Sequence, residues 1–289
     1  LHRIRFLGRL IMKECYLNGT FVPIDNAQVS VLDRGFLFSD AVYEVIPIYN
    51  NVPFLITEHI DRLRKSLDAL KISTDFPLKA SAIINQLLEK KPLQDSYIYI
   101  QISRGAAESR SHQLQHHIEP TVFVTIMPVK KTKHQPCSII THEEIRWKNC
   151  WIKSTSLLGN IMGMQAAQEQ HAQECIFHNN GWITEGSSSN IFIIQDDQIK
   201  TPPLSKQILG GITREAVIEI SNNIDIPLQE APISIPDLLG AQVRFITSST
   251  RGISPVSAIN QQKQHTEHPL LTELQKMYDE HINQTTLSY

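Results

Sequence analysis

The segment CWIKSTSLLGN places a lysine, Lys153, directly after Trp151 and Ile152 and just ahead of a further apolar run. An amine held among apolar side chains has a lowered pKa, because burial disfavours its charged form. A neutral amine is the nucleophile that Schiff-base chemistry requires. Lys153 is therefore a candidate for covalent chemistry, and an exposed or ion-paired lysine is the alternative.

Three further clusters have the composition of a phosphate site. The glycines of LGGITRE precede a helix start, where backbone N–H groups and the positive end of the dipole attract anions. The segment TSST, residues 247–250, offers hydroxyl donors at the end of a strand. Arg62 lies beside the apolar stripe of its helix and is a bidentate cation of the kind that phosphate prefers. The ordinary interpretations are a common helix start, a serine-rich turn and a solvated arginine.

Glu185 lies in WITEGSSSNIF, among strand residues and small hydroxyl side chains. A carboxylate in contact with a pyridine nitrogen keeps that nitrogen protonated, with a pKa shift of about 1–3 units, or roughly 1.4–4 kcal/mol. A strand-end carboxylate without a chemical role is the alternative. The histidines His112, His116 and His117 occupy a turn-rich segment without nearby carboxylates, so we expect no metal site.

The surrounding patterns predict an α+β protein. ECYLNGTFVPI is typical of a hairpin that turns at Asn18-Gly19, and TEHIDRLRKSLDAL is typical of a helix that Thr57 caps. YIYIQIS and TVFVTIMPV have strand patterns, as does ECIFHNNGWITEGSSSNIFIIQDDQIKT with its turns at Asn180-Gly181 and Asp196-Asp197. SLLGNIMGMQAAQEQHA and GGITREAVIEISNNI have helical patterns. Regular β-α-β alternation is absent, which disfavours a doubly wound sheet.

The charged segment PVKKTKHQP divides the chain into two expected domains. We predict a small N-terminal domain over residues 12–129, a linker over 130–135 and a larger C-terminal domain over 136–289. Residues 1–11 are expected to be an upstream extension, because Met12 opens a strand pattern.

Composition points to a small-molecule partner. The 289 residues are 41% hydrophobic, and 27 Lys and Arg balance 29 Asp and Glu, which gives no electrostatic reason to expect a nucleic-acid or membrane partner. The four widely spaced cysteines suit free thiols in a reducing compartment, so we expect a cytoplasmic protein. The sequence contains no apolar run of the roughly 18 residues that a membrane helix needs.

Seven segments occur in an order that resembles the class IV, fold type IV, pyridoxal-phosphate enzymes, over residues 12–256. They are DRGFLFSDAVYE, EHIDRL, SRGAAESRSH, IRWKNCWIKSTSLLGN, TEGSSSNIF, ILGGITRE and ITSST. The resemblance implies a two-domain α+β fold with a small N-terminal domain and a larger, barrel-like C-terminal domain. It implies that Lys153 carries pyridoxal phosphate and moves the substrate proton, and that Glu185 pairs with the pyridine nitrogen. The implied phosphate and ring contacts are Arg62, Leu209, Ile212, Thr213, Ser248 and Ser249.

Tyr43, Arg110 and His112 match the residues that bind the substrate carboxylate in the D-amino-acid aminotransferases of this family. A guanidinium fork with two further donors satisfies both carboxylate oxygens. In the family the arginine and histidine come from the neighbouring subunit, so the resemblance implies a homodimer that shares its active sites. The expected reaction is a ping-pong exchange between a D-amino acid, such as D-alanine or D-glutamate, and a 2-oxo acid.

Three other functions are weighed against this one. An aminodeoxychorismate lyase and a branched-chain L-amino-acid aminotransferase use the same scaffold, and the Arg110-x-His112 pair disfavours both. A scaffold protein without activity is disfavoured by Lys153 and Glu185.

Two positions depart from the family pattern. Trp151 replaces a small or acidic residue, and Arg251 follows the phosphate turn, where it either faces acidic substrates or points to solvent or a local carboxylate.

Overall fold

The computed structural model describes residues 14–90, 96–114, 117–129 and 133–287. The chain divides between Lys130 and Lys131 into two compact units, called here the N-terminal and the C-terminal unit. Residues 1–11 and part of the expected linker, residues 130–132, lie outside the described residues. Both units combine helices with sheets, so the α+β class is confirmed.

Within its described residues, the N-terminal unit contains a six-stranded antiparallel sheet, three α-helices and a 3-10 helix at Ile24–Asn26. Its strands are β1 (Glu14–Leu17), β2 (Thr20–Pro23), β3 (Ala41–Tyr49), β4 (Val52–Pro53), β5 (Ser96–Ser103) and β6 (Thr121–Pro128). Its helices are α1 (Arg34–Phe38), α2 (Ile56–Leu70) and α3 (Phe76–Lys90). The strand order is β2-β1-β6-β5-β3-β4, so the long strands β5 and β3 lie inside the sheet.

Local sequence explains these elements. Asn18 and Gly19 both have positive φ, as the predicted two-residue hairpin turn requires. The apolar stripe of α2 consists of Ile60, Leu63, Leu67 and Leu70. The first three are buried and Leu70 is half-buried. The predicted Thr57 cap is wrong: the helix begins at Ile56, because a left-handed Leu55 turns the chain directly from β4 into the helix.

The C-terminal unit contains a nine-stranded mixed sheet and four helices among its described residues. The strands are β7 (Cys137–Glu143), β8 (Glu174–Asn179), β9 (Trp182–Gly186), β10 (Asn190–Gln195), β11 (Gln198–Thr201), β12 (Leu228–Glu230), β13 (Val243–Ser248), β14 (Gly252–Ile259) and β15 (Gln262–Lys263). The helices are α4 (Leu158–Glu169), α5 (Ile212–Asn223), α6 (Ile235–Gly240) and α7 (Pro269–Leu287). The order is β12-β11-β10-β13-β14-β7-β8-β9, with β15 paired to β14.

An aliphatic core fills one face of this sheet. Isoleucines of β7, β8, β9, β10 and β13 pack together, as Ile139, Ile176, Ile183, Ile191 and Ile246. On the face of α5 that the sequence predicts, Ile212, Ala216, Val217 and Ile220 are buried. None of the helices in the described part of the chain has the length and hydrophobicity that a membrane span requires.

Candidate active site

Glu185 is a buried carboxylate on β9 with three hydrogen-bond donors around it. Arg146 Nη1 donates to Oε1 at 2.5 Å, while Asn190 Nδ2 and the Leu209 N–H donate to Oε2 at 3.2 and 3.0 Å. A carboxylate has about four lone-pair positions, so Glu185 retains the capacity to accept one further donor. Burial raises the pKa of Glu185 to about 7, against the opposing influence of Arg146.

Arg146 forms a buried cluster with two carboxylates. Its Nε and Nη2 donate to Glu144 at 2.8 and 2.6 Å, and its Nη1 bonds Glu185. Although burial opposes ionisation, Arg146 holds the pKa of Glu144 below its ordinary value. With both carboxylates ionised, the cluster carries one negative charge in excess. A buried excess charge is costly unless an opposite charge neutralises it, so the cluster suits a protonated ring nitrogen.

The start of α5 is held against this cluster by Asn190. The Asn190 amide donates to the Leu209 carbonyl at 3.0 Å as well as to Glu185. A Cβ at Gly211 would collide with Asn190 Oδ1, so a side chain there would displace the Asn190 amide. The N-cap residue of α5, Gly211, provides no side-chain cap, which leaves the first backbone N–H groups of the helix without a capping side chain.

The end of β13 lies beside the same residues. Asn190 on β10 pairs with Thr247, the residue before Ser248. The Thr247 hydroxyl is buried and has no partner among the described atoms. Asn190 thus connects Glu185 and Leu209 with two neighbouring segments, the start of α5 with Ile212 and Thr213 and the end of β13 with Ser248 and Ser249. Their donors and charges fit a molecule with a cationic ring and a phosphate.

Lys153 lies between β7 and α4 and is half-buried. The neighbouring residues are fixed by backbone hydrogen bonds, from Ile152 to Asn149 at 3.1 Å and from Trp151 to Lys206 at 3.3 Å. The segment of Lys206 leads on to Leu209 and to the start of α5. The lysine segment is thus tied through the backbone to the loop that contacts Glu185.

Arg62 lies on α2 in the N-terminal unit, where it pairs with a fully buried glutamate. Its Nε and Nη2 donate to the two Glu44 oxygens at 2.7 and 2.8 Å, and His59 Nδ1 lies 2.8 Å from Oε2. Despite the desolvation of complete burial, Arg62 and His59 together hold the pKa of Glu44 well below its ordinary value. This bidentate pair fixes the orientation of the Arg62 guanidinium.

The residues of the expected carboxylate site also lie in the N-terminal unit. Tyr43 on β3 packs on Tyr99, with ring centroids 6.1 Å apart. Arg110 and His112 are exposed, and both contact the ring of Phe38. The His112, His116 and His117 group offers no metal cluster among its described members, and His116 itself lies outside the described residues.

Arg251 lies in the turn between β13 and β14 and is half-buried. Its N–H donates to Ser248 Oγ at 3.3 Å, and its carbonyl accepts from the N–H of His134 at 2.9 Å. Among the described residues its guanidinium forms no ion pair, so the local-carboxylate alternative finds no support.

Trp151 is 40% exposed.

Arg146, Glu144 and Asn190 have structural roles that the sequence does not indicate. Arg146 and Asn190 stand inside the segments IRWKNCWIK and TEGSSSNIF, but polar residues at such positions carry no periodic signal. Only the fold brings Arg146 and Asn190 to the same carboxylate. Glu144 has the additional role of accepting from Thr184 Oγ1 at 2.9 Å, which braces the outer side of the cluster.

Comparison with known proteins places these features in context. Residues 41–259 match the family model described as amino-transferase class IV. The chain is 36% identical over 249 residues to a D-alanine aminotransferase of Bacillus licheniformis, a match that covers 85% of this chain and 88% of the relative.

Two solved structures illustrate the shared fold. A branched-chain amino acid aminotransferase of T.th., solved with pyridoxamine 5'-phosphate, has a TM-score of 0.86 at 24% identity and covers 94% of this chain and 95% of its own. A putative 4-amino-4-deoxychorismate lyase of Legionella pneumophila has a TM-score of 0.81 at 24% identity and covers 89% and 96%. At this level of identity the likeness shows the fold alone.

Proposed function

Because the chain belongs to the class IV aminotransferases, pyridoxal-phosphate enzymes of fold type IV, we propose that it transfers the amino group of a D-amino acid to a 2-oxo acid. The observation that carries the cofactor assignment is the buried Glu185 carboxylate, which retains room for one donor and lies beside the start of α5. The D-alanine aminotransferases among its relatives, together with Tyr43, Arg110 and His112, support a D-amino acid of the D-alanine or D-glutamate kind.

The proposed cofactor contacts divide into two groups by charge. The backbone amides of Ile212 and Thr213 and the hydroxyls of Ser248 and Ser249 face the phosphate. Glu185 pairs with the ring nitrogen, and Leu209, whose N–H bonds Glu185, packs against the ring. The family resemblance supports Arg62 as a further residue that binds the phosphate. When bound, pyridoxal phosphate supplies the electron sink for the carbanion that proton removal creates.

Lys153 performs the proton transfers in this proposal. Lys153 would be the residue that holds the cofactor covalently, and its ε-amine would be free to move protons once a substrate amine has taken its place. The free amine would take the proton from the substrate Cα and give it to the C4′ carbon of the cofactor. In the second half of a ping-pong cycle, a different 2-oxo acid takes up the amino group and Lys153 runs these steps in reverse.

Glu185 and its neighbours control the electron demand of the ring. Glu185, Glu144 and Arg146 together carry one excess negative charge. Contact with this charge raises the pKa of the ring nitrogen by about 1–3 units, which favours its protonated form by roughly 1.4–4 kcal/mol. Arg146 holds Glu185 in place rather than contacting the ring. Tyr43, Arg110 and His112 bind the substrate carboxylate and thereby choose which Cα hydrogen faces Lys153.

A half-reaction assay tests the proposal. Purified protein loaded with pyridoxal phosphate is mixed separately with D-alanine, D-glutamate, L-leucine and aminodeoxychorismate, and the cofactor absorbance is followed. Conversion to the pyridoxamine form with the D-amino acids alone is expected. Release of pyruvate and aminobenzoate from aminodeoxychorismate, or conversion by L-leucine, would contradict it. The Lys153→Ala variant should bind cofactor without turnover.

We include a homodimer with shared active sites in the proposal, since the family resemblance assigns Arg110 and His112 to the partner subunit. Mixing Lys153→Ala protein with Arg110→Ala protein tests it, because a mixed dimer regains one site in which both residues are intact. Activity that stays at the level of the separate variants after subunit exchange would oppose the shared site.

A cytoplasmic location is also proposed, supported by four buried free cysteines.

A further inference from the structure

The loop that carries Arg110 and His112 rests on one aromatic ring. The guanidinium carbon of Arg110 lies 5.0 Å from the centroid of the Phe38 ring. The His112 ring meets the same ring edge-on, with centroids 5.2 Å apart. Phe38 is the last residue of α1 and is half-buried, so a single side chain contacts both members of the proposed carboxylate pair.

A second arginine ties the loop backbone to the same helix. Arg34 is 6% exposed, and its guanidinium carbon lies 5.0 Å from the Phe38 centroid. Its Nη1 donates to the carbonyl of Ser111 at 2.7 Å, and its Nε donates to Asp40 at 2.9 Å. Asp40 also binds Arg104 through two hydrogen bonds, at 2.7 and 3.0 Å. The residue between Arg110 and His112 is therefore anchored to a partly buried ionic network.

The chemistry of the ring contact suits a cation that must bind a substrate. A guanidinium attracted to the face of an aromatic ring keeps its N–H donors, whereas one that pairs with a protein carboxylate has them occupied. In the described residues Arg110 forms no ion pair, and its contact with Phe38 is the interaction that orients it. Phe38 thus holds the cation in place while its hydrogen-bonding fork stays available for a carboxylate.

We propose that Phe38 is a positioning residue that orients Arg110 and His112 for binding the α-carboxylate of the substrate, on a backbone that Arg34 fixes. The inference rests on the proposed function of Arg110 and His112. It assigns to α1 a role in substrate affinity, although Phe38 acts on the substrate only through the two residues that it contacts.

Phe38→Leu tests the proposal, because leucine keeps apolar volume and removes the aromatic face. A cation–π contact at a partly exposed site changes an equilibrium constant by roughly 2- to 30-fold. The KM for D-alanine and the KM for 2-oxoglutarate should both rise within that range, since both substrates carry the carboxylate. The kcat and the cofactor absorbance should stay close to the wild-type values. Phe38→Tyr, which restores an aromatic face, should restore both KM values.

Two controls separate positioning from a loss of folding. Phe21→Leu makes the same change in the hairpin of the same unit, where the ring packs on Tyr16 at 5.4 Å, and should leave KM unchanged. In an Arg110→Ala background, Phe38→Leu should raise KM by a smaller factor than in the wild type, because the two residues act through one interaction.

The outcomes distinguish this inference from the proposed function. If wild-type protein transaminates D-alanine but Phe38→Leu leaves both KM values unchanged, the positioning role is wrong and the function stands. The role is also wrong if the effects of Phe38→Leu and Arg110→Ala are simply additive. If wild-type protein converts no D-amino acid, the proposed function itself fails.

Discussion

Replacing Glu185 with glutamine tests whether the buried carboxylate of β9 acts on the cofactor ring. The amide retains an oxygen that can accept from Leu209 and Asn190, so the contacts to the start of α5 can persist. The charge of the cluster changes, because Glu144 alone then balances Arg146 and no excess negative charge remains. In the proposed site the ring nitrogen therefore loses its counter-ion. The amide NH2 group takes the place of the oxygen that accepts from Arg146 Nη1, so that hydrogen bond is lost while those from Leu209 and Asn190 persist.

The expected loss follows from the strength of that ionic contact. An opposite charge in contact shifts a pKa by about 1–3 units, which corresponds to roughly 1.4–4 kcal/mol or about 10- to 1000-fold in the protonated population. In the proposed reaction, proton removal by Lys153 depends on the protonated ring as an electron sink. The rate of the D-alanine half-reaction should fall by the same range, with cofactor still bound.

The assay compares single-turnover rates by cofactor absorbance for wild type, Glu185→Gln and Glu144→Gln. The Glu144 variant is the matched control, because it removes an equal charge from Arg146 and leaves the Glu185 carboxylate in place. Glu185→Gln should be the slower of the two by a wide margin. Equal rates for the two variants, or a wild-type rate for Glu185→Gln, would refute direct contact between this carboxylate and the ring.

Two more predictions concern the supports of the site. Gly211→Ala places a methyl group against Asn190 Oδ1 and should weaken cofactor binding, as a raised pyridoxal-phosphate Kd in an absorbance titration, while an unchanged Kd would oppose the steric argument. Glu44→Gln breaks the buried pair with Arg62 and should cost about 3–5 kcal/mol of unfolding free energy at pH 7. Because the folded pKa of Glu44 lies below its ordinary 4.5, the wild-type advantage in urea unfolding should be present above that pH and shrink as pH falls below it. A constant difference across this range would contradict the assignment.

The sequence predicted those helices and hairpins whose residues follow a regular helical spacing or form a recognisable turn pair. The hairpin at Asn18 and the buried face of α5 follow from turn chemistry and helical spacing, and both are confirmed. The helices α3 and α7 and the strand β3 are not assigned by the sequence interpretation, although α3 and α7 are among the longest helices described. The start of α2 is misplaced because a left-handed Leu55 turns the chain where a capping side chain was expected.

Only some residues of the candidate site could be predicted from the sequence. Glu185 and the residues of the α5 start stand in short segments that the sequence can single out, because glycine and hydroxyl residues cluster there. Arg146 and Asn190 lie 39 and 5 residues from Glu185 along the chain, and only the completed sheet brings both to one carboxylate. Their roles depend on hydrogen-bond geometry, which no periodicity encodes.

Asn190 also connects the negatively charged end of the site with its positively charged end. One amide group bonds Glu185 Oε2 and the Leu209 carbonyl, and its oxygen lies where a side chain on Gly211 would have to pass. An anionic cluster and the positive end of a helix are thereby held at two ends of one hydrogen-bonded path. A phosphate at the anionic end would be repelled by the carboxylate of Glu185. A cation at the start of the helix would face backbone N–H groups, which repel it and cannot accept its hydrogen bonds. In the proposed site, a molecule with a protonated ring and a phosphate would therefore bind in one orientation only.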